Sequence, residues 1–163
     1  MPLYFAYGSN MDRAAMAARC PRSAMIGPAR LARHRFFIMA SGFASVRPDP
    51  ARTVHGVLWD LALADVRALD RYEEVGKGLY SKLLQSFATP VGARRALVYV
   101  GNSAAEGMPH PFYIARILAA AREAGFPAAY VRDLAAYAPR GAAADADAQA
   151  KVRPRFATPF DKR

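Results

Sequence analysis

The first residues with the types and spacing for chemistry form a glycine turn near the start of the chain. The run from Leu3 to Tyr7 is apolar and aromatic, as in a buried strand, and Gly8-Ser9-Asn10 has the composition of a turn. Charged residues then alternate with alanine and methionine from Asp12 to Arg19, which predicts a short helix capped by Ser9 or Asn10. A strand, a turn and a helix start bring backbone N–H groups to one point, where they can hold a carboxylate or an oxyanion. A purely structural turn is the alternative interpretation.

The second candidate is Glu73, a carboxylate at the predicted end of a helix. The helical pattern runs from Leu61 to Asp70, and the neighbours of Glu73 in sequence include Tyr72 and Val75. Because a carboxylate at a helix C-terminus lacks dipole support and apolar neighbours disfavour its charge, we expect a raised pKa. A carboxyl of that kind is suited to general acid–base catalysis. The alternative is an exposed glutamate that ends a helix without further function.

Other catalytic or ligand-binding arrangements have weaker support. The turn at Gly8 lacks the second glycine and the Lys-Ser/Thr pair of a phosphate-binding Walker loop. His34, His55 and His110 are not spaced as a ligand pair and have no cysteine partners, so we expect no metal site. Ser9 lies in a turn, as nucleophilic serines do, although the second glycine of a nucleophile elbow is missing. A serine–histidine hydrolase therefore stays open as an alternative.

The composition is that of a globular domain with a basic surface. The chain has 163 residues, of which 53% are hydrophobic. This length and composition suffice for one domain with its own hydrophobic core, and the chain is too short for two domains of ordinary size. Its 23 Lys and Arg exceed its 13 Asp and Glu, and the net charge of +10 favours anionic ligands. The segment from Arg30 to Arg35 and the basic C-terminal tail could contact nucleic acid. Because no RNA-binding signature with stacking aromatics is present, we expect no specific nucleic-acid partner.

The cysteine count and the apolar runs bear on the compartment. Cys20 is the one cysteine of the chain, so an intrachain disulfide is excluded. No charged-then-apolar signal pattern and no apolar run of membrane-spanning length is visible. We therefore expect a cytoplasmic protein without membrane contact.

The predicted elements place most strands before most helices, which is typical of an α+β fold with a curved, largely antiparallel sheet. Residues 45–53 contain Pro48 and Pro50 and are predicted to form a loop, and residues 101–111 a second one. Residues 1–139 are predicted to form one domain, followed by an Ala/Asp-rich and then basic tail over residues 140–163 that we expect to be mobile. The strand patterns cover 24–41, 54–61, 79–88 and 95–100, and helical patterns follow at 112–124 and 128–137.

Three stretches of the chain together resemble the gamma-glutamylcyclotransferase-like family. They are Tyr4-Phe5-Ala6-Tyr7-Gly8-Ser9-Asn10-Met11, then Leu69-Asp70-Arg71-Tyr72-Glu73-Glu74-Val75 with Gly78-Leu79-Tyr80, and Pro109-His110-Pro111-Phe112-Tyr113. The resemblance implies a small mixed, largely antiparallel barrel-like sheet with helices packed around it. It also implies that Glu73 is the acid–base residue. The implied substrate-binding residues are Tyr7, Gly8, Ser9, Asn10, Met11, Tyr80 and Tyr113. The family commonly has glycine after its glutamate, where this chain has Glu74, so Glu74 is a rival for the catalytic role.

The activity implied by the resemblance is an intramolecular cyclisation. The α-amine of a small γ-glutamyl compound attacks its own γ-carbonyl, releasing 5-oxoproline and an amine or amino acid. Because the nucleophile belongs to the substrate, no cofactor is needed. The alternatives are a non-catalytic small-ligand-binding domain of the same fold, an amide hydrolase, and a relative that acts on a γ-glutamylated amine. We expect the loop over residues 101–110 to determine the leaving group.

Overall fold

A closed five-stranded barrel is the centre of the structure, a computed structural model that describes residues 2–139. The predicted tail over residues 140–163 lies outside the described residues, and so does Met1. Two short 3-10 turns, Ser9–Met11 and Val75–Lys77, interrupt the connections between the longer elements. The strands are β1 (Leu3–Ala6), β2 (Ala24–Ile38), β3 (Ala44–Asp60), β4 (Tyr80–Thr89) and β5 (Gly92–Gly101), and the helices are α1 (Arg13–Arg19), α2 (Leu63–Tyr72), α3 (Pro111–Glu123) and α4 (Ala128–Ala135).

The barrel is mixed and largely antiparallel, as the resemblance implied. Its strand order is β1-β3-β2-β4-β5, and β5 closes the barrel by pairing in parallel with β1 at Tyr4 and Leu97. All other pairs are antiparallel, and the hairpin of β4 and β5 turns at Pro90 and Val91. The α+β class and the barrel architecture are therefore confirmed.

The predicted loop over residues 45–53 is wrong, because β3 continues through it. Pro48 is paired with His34 of β2 in a long hairpin. On its other edge, β3 pairs with β1 only from Val57 to Asp60, so the earlier half of β3 has one strand neighbour within the described residues. A proline that lacks an N–H group is tolerated where a strand edge is unpaired.

The barrel interior contains stacked aromatic rings and a close backbone crossing. Phe5 stacks on Phe87 with ring centroids 4.2 Å apart. A Cβ atom at Gly56 would lie 2.3 Å from the carbonyl oxygen of Ala6, so this crossing of β1 and β3 requires glycine. Outside the barrel, α3 buries the apolar face that its periodicity predicted, and Gly125 follows its end with φ 69°.

The start of α1 differs from the prediction in a way that matters for the site. Asp12, rather than Ser9 or Asn10, caps the helix, because its Oδ1 accepts a 2.7 Å hydrogen bond from the Ala15 N–H. The three residues before it form a separate 3-10 turn, in which the Met11 N–H donates to the Gly8 carbonyl. The side chains of Ser9 and Asn10 are therefore available for other contacts.

No helix within residues 2–139 combines the length and the apolar character that crossing a membrane requires.

Candidate active site

The three predicted stretches meet at one place, where the turn after β1 contacts the end of α2 and the start of α3. Asn10 Nδ2 donates a 2.8 Å hydrogen bond to Glu73 Oε1. A Cβ atom at Gly8 would lie 3.4 Å from the Tyr113 hydroxyl and 3.5 Å from the Cβ of Ala44. Gly8, Asn10, Glu73 and Tyr113 therefore surround one site.

Ala44, the first residue of β3, holds two of the predicted tyrosines by its backbone. Its N–H donates to the Tyr113 hydroxyl at 3.0 Å, and its carbonyl accepts from the Tyr80 hydroxyl at 2.6 Å. The Tyr80 hydroxyl therefore already donates its hydrogen bond to Ala44, whereas the Tyr113 hydroxyl accepts one and can still donate to another partner. Tyr113 is the better placed of the two to donate to a ligand.

Glu73 is the C-cap of α2, and burial of its carboxyl raises its pKa from an ordinary 4.5 to about 7. The Arg19 charge and the hydrogen bond from Asn10 act in the opposite direction, but the burial effect is larger. The raised pKa predicted from the sequence is confirmed. A carboxyl with a pKa near 7 can both take and return a proton at neutral pH.

The two oxygens of Glu73 have different surroundings. Oε1 accepts the hydrogen bond from Asn10, whereas Oε2 has no hydrogen-bond partner among the described residues. Trp59 Nε1 is the polar side-chain atom within residues 2–139 that is fully buried without a hydrogen-bond partner, so Oε2, which also has no partner, is not fully buried. Glu73 as a whole is partly exposed. Oε2 is therefore the oxygen that a bound molecule can reach.

Buried tyrosines form the surroundings of this carboxyl. Burial, and in each case the nearby charge of Glu73, raises the pKa of every one of them, so their hydroxyls stay protonated and neutral. Within this cluster, Glu73 is thus the group that titrates near neutral pH. The five are Tyr4, Tyr7, Tyr80, Tyr99 and Tyr113.

The turn offers unused backbone donors beside the carboxyl. Among the hydrogen bonds of residues 2–139, none is donated by the backbone N–H of Gly8, Ser9 or Asn10. Ser9 and Asn10 are nevertheless buried residues. An unpaired backbone N–H that is shielded from water destabilises the fold, so these N–H groups are suited to bind an anionic or carbonyl oxygen.

Tyr7 and Met11 lie on either side of the turn, and their side chains are buried in protein. The Tyr7 hydroxyl donates to the Tyr99 carbonyl at 2.6 Å inside the barrel. Met11 lines a small space with Met25 and Ala120, between the turn and α3. Both residues support the turn, and their direct contact with substrate stays a prediction.

Ser9 and Glu74, the two rivals for a catalytic role, have other partners. The Ser9 hydroxyl lies 3.3 Å from the Tyr72 hydroxyl, and no histidine of the described chain hydrogen-bonds to it. Glu74 has a left-handed backbone with φ 50°, and its carboxylate pairs with Lys77 at 3.0 Å. The geometry therefore favours Glu73 as the acid–base residue.

Sequence reasoning missed Arg19 and Tyr4 and assigned no role to Tyr72. Arg19 donates to Asn10 Oδ1, and its guanidinium lies 3.6 Å from the centre of the Tyr72 ring. The Tyr4 hydroxyl accepts a 3.0 Å hydrogen bond from Asn10. Tyr4 and Tyr72 lie within two of the three stretches, but no motif signals the Arg19 contacts, because these depend on how α1 and α2 pack against the turn.

The remainder of the described chain contains a separate cavity and no metal-binding group of side chains. No group of three histidine, cysteine, aspartate or glutamate side chains within residues 2–139 is arranged to hold a metal ion. A cavity of about 160 Å³ opens between the two hairpins, and none of its lining residues belongs to the site. Its walls are Leu31, His34, Val46, Pro48, Leu83, Gln85, Val98 and Val100.

Comparison with known proteins adds sequence and structural relatives to this geometry. Residues 53–134 match the model of the AIG2-like family. The chain is 30% identical to the gamma-glutamylcyclotransferase of Homo sapiens over 84% of this chain and 79% of the human protein. It is 27% identical to the gamma-glutamylcyclotransferase of Bos taurus over 81% of this chain and 76% of the bovine protein. A solved structure described as gamma-glutamyl cyclotransferase superimposes with a TM-score of 0.78 and 29% identity, covering 85% of this chain and 88% of the other.

Proposed function

The chain belongs to the AIG2-like, gamma-glutamylcyclotransferase family, and from this membership we propose that it is itself a cyclotransferase that converts small γ-glutamyl compounds to 5-oxoproline. The observation that carries the proposal is Glu73, whose pKa is raised to about 7 and whose Oε2 is open to a ligand. A cyclisation of this type needs one group that first accepts and then donates a proton.

The reaction proceeds by attack of the substrate's own α-amine. Glu73 Oε2 takes a proton from the α-ammonium, and the free amine attacks the γ-carbonyl carbon to close a five-membered ring. Glu73 returns this proton to the leaving nitrogen as the bond from that nitrogen to the γ-carbon breaks. The ring nitrogen, which still carries two hydrogens after the attack, gives up one of them, and the released amine takes up this second proton and departs as an ammonium. Holding amine and carbonyl in a folded conformation supplies much of the rate, since the reaction is intramolecular.

The turn and Tyr113 bind the glutamyl part and the developing negative charge. The unpaired N–H groups of Gly8, Ser9 and Asn10 are suited to the α-carboxylate or to the oxygen of the tetrahedral intermediate. The Tyr113 hydroxyl adds a neutral donor beside Gly8, since a Cβ atom at that residue would lie 3.4 Å from it.

The leaving amine faces the side of the site formed by Phe43. The Phe43 ring packs edge-on against Tyr113 at 5.7 Å, and the residue is 45% exposed. Its turn is held by the loop over residues 102–110, since the Ala40 N–H donates to Ala105 at 2.8 Å and the Gly107 N–H donates to Ile38 at 2.9 Å. The loop thus acts on specificity by fixing the position of this apolar wall.

The test is product analysis with a panel of γ-glutamyl compounds that carry small, charged and aromatic leaving groups. Formation of 5-oxoproline by the wild type, and its loss in Glu73→Gln, is the expected result. Glu74→Gln is the matched control, because it removes the neighbouring carboxylate only.

A substrate with an acetylated α-nitrogen separates the alternatives. The blocked nitrogen cannot attack, so a cyclotransferase leaves this compound intact. A hydrolase that uses Ser9 would release acetylated glutamate from it, and that product would reject the proposal. Saturable binding of every panel member without any turnover would instead identify a non-catalytic binding domain.

A further inference from the structure

Arg19 ends α1 and contacts the site, although it lies outside all three stretches that identify the site in the sequence. Its guanidinium donates to Asn10 Oδ1 and covers the ring of Tyr72, whose centre is 3.6 Å away. Tyr72 directly precedes Glu73 and lies within hydrogen-bonding distance of Ser9. Arg19 thereby links the turn after β1 with the end of α2.

The chemistry of arginine determines the orientation of the Asn10 amide. Because a guanidinium only donates hydrogen bonds, the atom of Asn10 that faces Arg19 must be the oxygen. The amide nitrogen then faces Tyr4 at 3.0 Å and Glu73 at 2.8 Å, and both of its protons are used. A rotated amide would set donors against the guanidinium and an oxygen against the carboxylate. Since Asn10 is only 3% exposed, water cannot relieve that mismatch.

We propose that Arg19 is a positioning residue of the site: it fixes the Asn10 amide so that Glu73 is anchored by Oε1 and presents Oε2 to the reacting nitrogen. The role in catalysis rests on the proposed function. Arg19 itself touches neither the reacting atoms nor the glutamyl group, and it acts through Asn10.

The charged and titratable surroundings of Glu73 make the effect of removing Arg19 predictable. The groups that face the carboxyl from β1, β4, β5 and α3 are tyrosines, which burial keeps neutral. Arg19 is the cation that lowers the Glu73 pKa, in the same direction as the Asn10 hydrogen bond. Removing Arg19 therefore shifts the Glu73 titration to higher pH and also frees the amide that orients the carboxyl. The tyrosines concerned are Tyr4 and Tyr7 (β1), Tyr80 (β4), Tyr99 (β5) and Tyr113 (α3).

The experiment compares Arg19→Met with Arg13→Met. Arg13 lies on the same helix but is an exposed residue that pairs with Glu123 at the surface, so its variant controls for the loss of a charge from α1. In Arg19→Met, we expect the plateau value of kcat per folded molecule at high pH to fall by roughly ten- to a hundred-fold, because the carboxyl is misplaced. The acid limb of the rate profile moves to higher pH, and KM changes little. Arg13→Met retains the wild-type plateau and limb.

A second variant separates positioning from charge. Arg19→Gln keeps an N–H donor for Asn10 Oδ1 but has no charge, so its plateau kcat stays nearer to the wild type than that of Arg19→Met. Its acid limb also moves to higher pH, but less far, because the hydrogen bond from Asn10 to Glu73 is kept. Combining Arg19→Met with Asn10→Ala tests the route, since the double variant should be no slower than Asn10→Ala alone. Additive losses, or an Arg19→Met plateau equal to that of Arg13→Met, would overturn the proposal.

A readout that needs no turnover distinguishes failure of this proposal from failure of the proposed function. Carboxyl ¹³C NMR of protein labelled at glutamate, assigned with Glu73→Gln, follows the Glu73 titration directly. An upward move of that titration in Arg19→Met and Arg19→Gln supports the contact network even if no γ-glutamyl compound is cyclised. A Glu73 titration unchanged in both variants refutes it, whatever the activity. If Arg19→Met does not fold, Arg19→Gln alone decides.

Discussion

Replacing Glu73 by glutamine tests the site through two independent consequences, loss of turnover and gain of stability. The carboxamide has nearly the same shape, and its oxygen can still accept the hydrogen bond from Asn10. It cannot carry a proton, so kcat should fall by ~10²–10⁴-fold, the usual effect of losing a general acid–base. Substrate binding should be nearly unchanged.

The stability effect follows from the pKa of Glu73, which folding raises from 4.5 to about 7. Below pH 4.5 the group is protonated in both the folded and the unfolded chain, so it has no effect on stability. Between 4.5 and about 7 the unfolded chain loses the proton while the folded chain keeps it, so the stability of the wild type falls as pH rises. Each pKa unit corresponds to about 1.4 kcal/mol, and the full penalty above pH 7 is therefore about 3 kcal/mol. Glutamine avoids this penalty because it has no charge.

Urea unfolding of both proteins at several pH values between 4 and 8 measures this difference. We expect Glu73→Gln to gain up to about 3 kcal/mol over the wild type at pH 8 and to lose that advantage near pH 4. In thermal unfolding, the same gain corresponds to roughly 6–12 °C in Tm for a chain of this size. A difference that does not depend on pH would refute the reasoning, because it would mean that Glu73 titrates alike in the folded and unfolded chains.

Substitutions at three further positions test individual parts of the site. Glu74→Gln should keep kcat within a few-fold of the wild type, since it removes only a surface pairing with Lys77; equal losses for the two glutamate variants would make the assignment of Glu73 unsafe. Tyr113→Phe should lower kcat roughly tenfold and stability by about 1 kcal/mol, because the Ala44 N–H loses its acceptor; unchanged kinetics would remove Tyr113 from the site. Gly8→Ala should be tolerated, whereas the larger Gly8→Val should crowd Tyr113 and raise KM, and equal KM values for both variants would contradict the common pocket.

Elements with a strong local signal were predictable from the sequence. The buried face of α3 follows from the spacing of Ile114, Ile117 and Leu118, and Gly125 marks its end by composition alone. The path of β3 through Pro48 was not predictable in this way. From the sequence, a proline shows only that one backbone N–H donor is missing. A strand can contain it where the tertiary fold leaves that strand edge unpaired, and the sequence does not show where this happens.

In the site, too, some residues are indicated by the local sequence, and others are recognised only from the tertiary structure. The place of Glu73 at a helix end is encoded nearby in the sequence, whereas the tyrosines that surround its carboxyl come from β1, β4, β5 and α3 and meet only in the fold. Ala44 contributes through its backbone groups, which leave no signature in the sequence. Arg19 is one of many arginines, and its role arises only when α1 docks against the turn.

The pKa of Glu73 results from two opposing influences, burial of the carboxyl and its contacts with Arg19 and Asn10. With burial alone, the carboxyl would hold its proton more tightly still and would be a poor base for the α-ammonium at neutral pH. With Arg19 and Asn10 acting on an exposed carboxyl, the pKa would lie below its ordinary range, and little acid would remain to protonate the leaving amine. The tyrosines supply the burial, and the Arg19–Asn10 pair limits its effect. In the proposed cyclisation, where Glu73 serves as base and then as acid, both influences are required, so loss of either should slow the reaction, on opposite limbs of its pH profile.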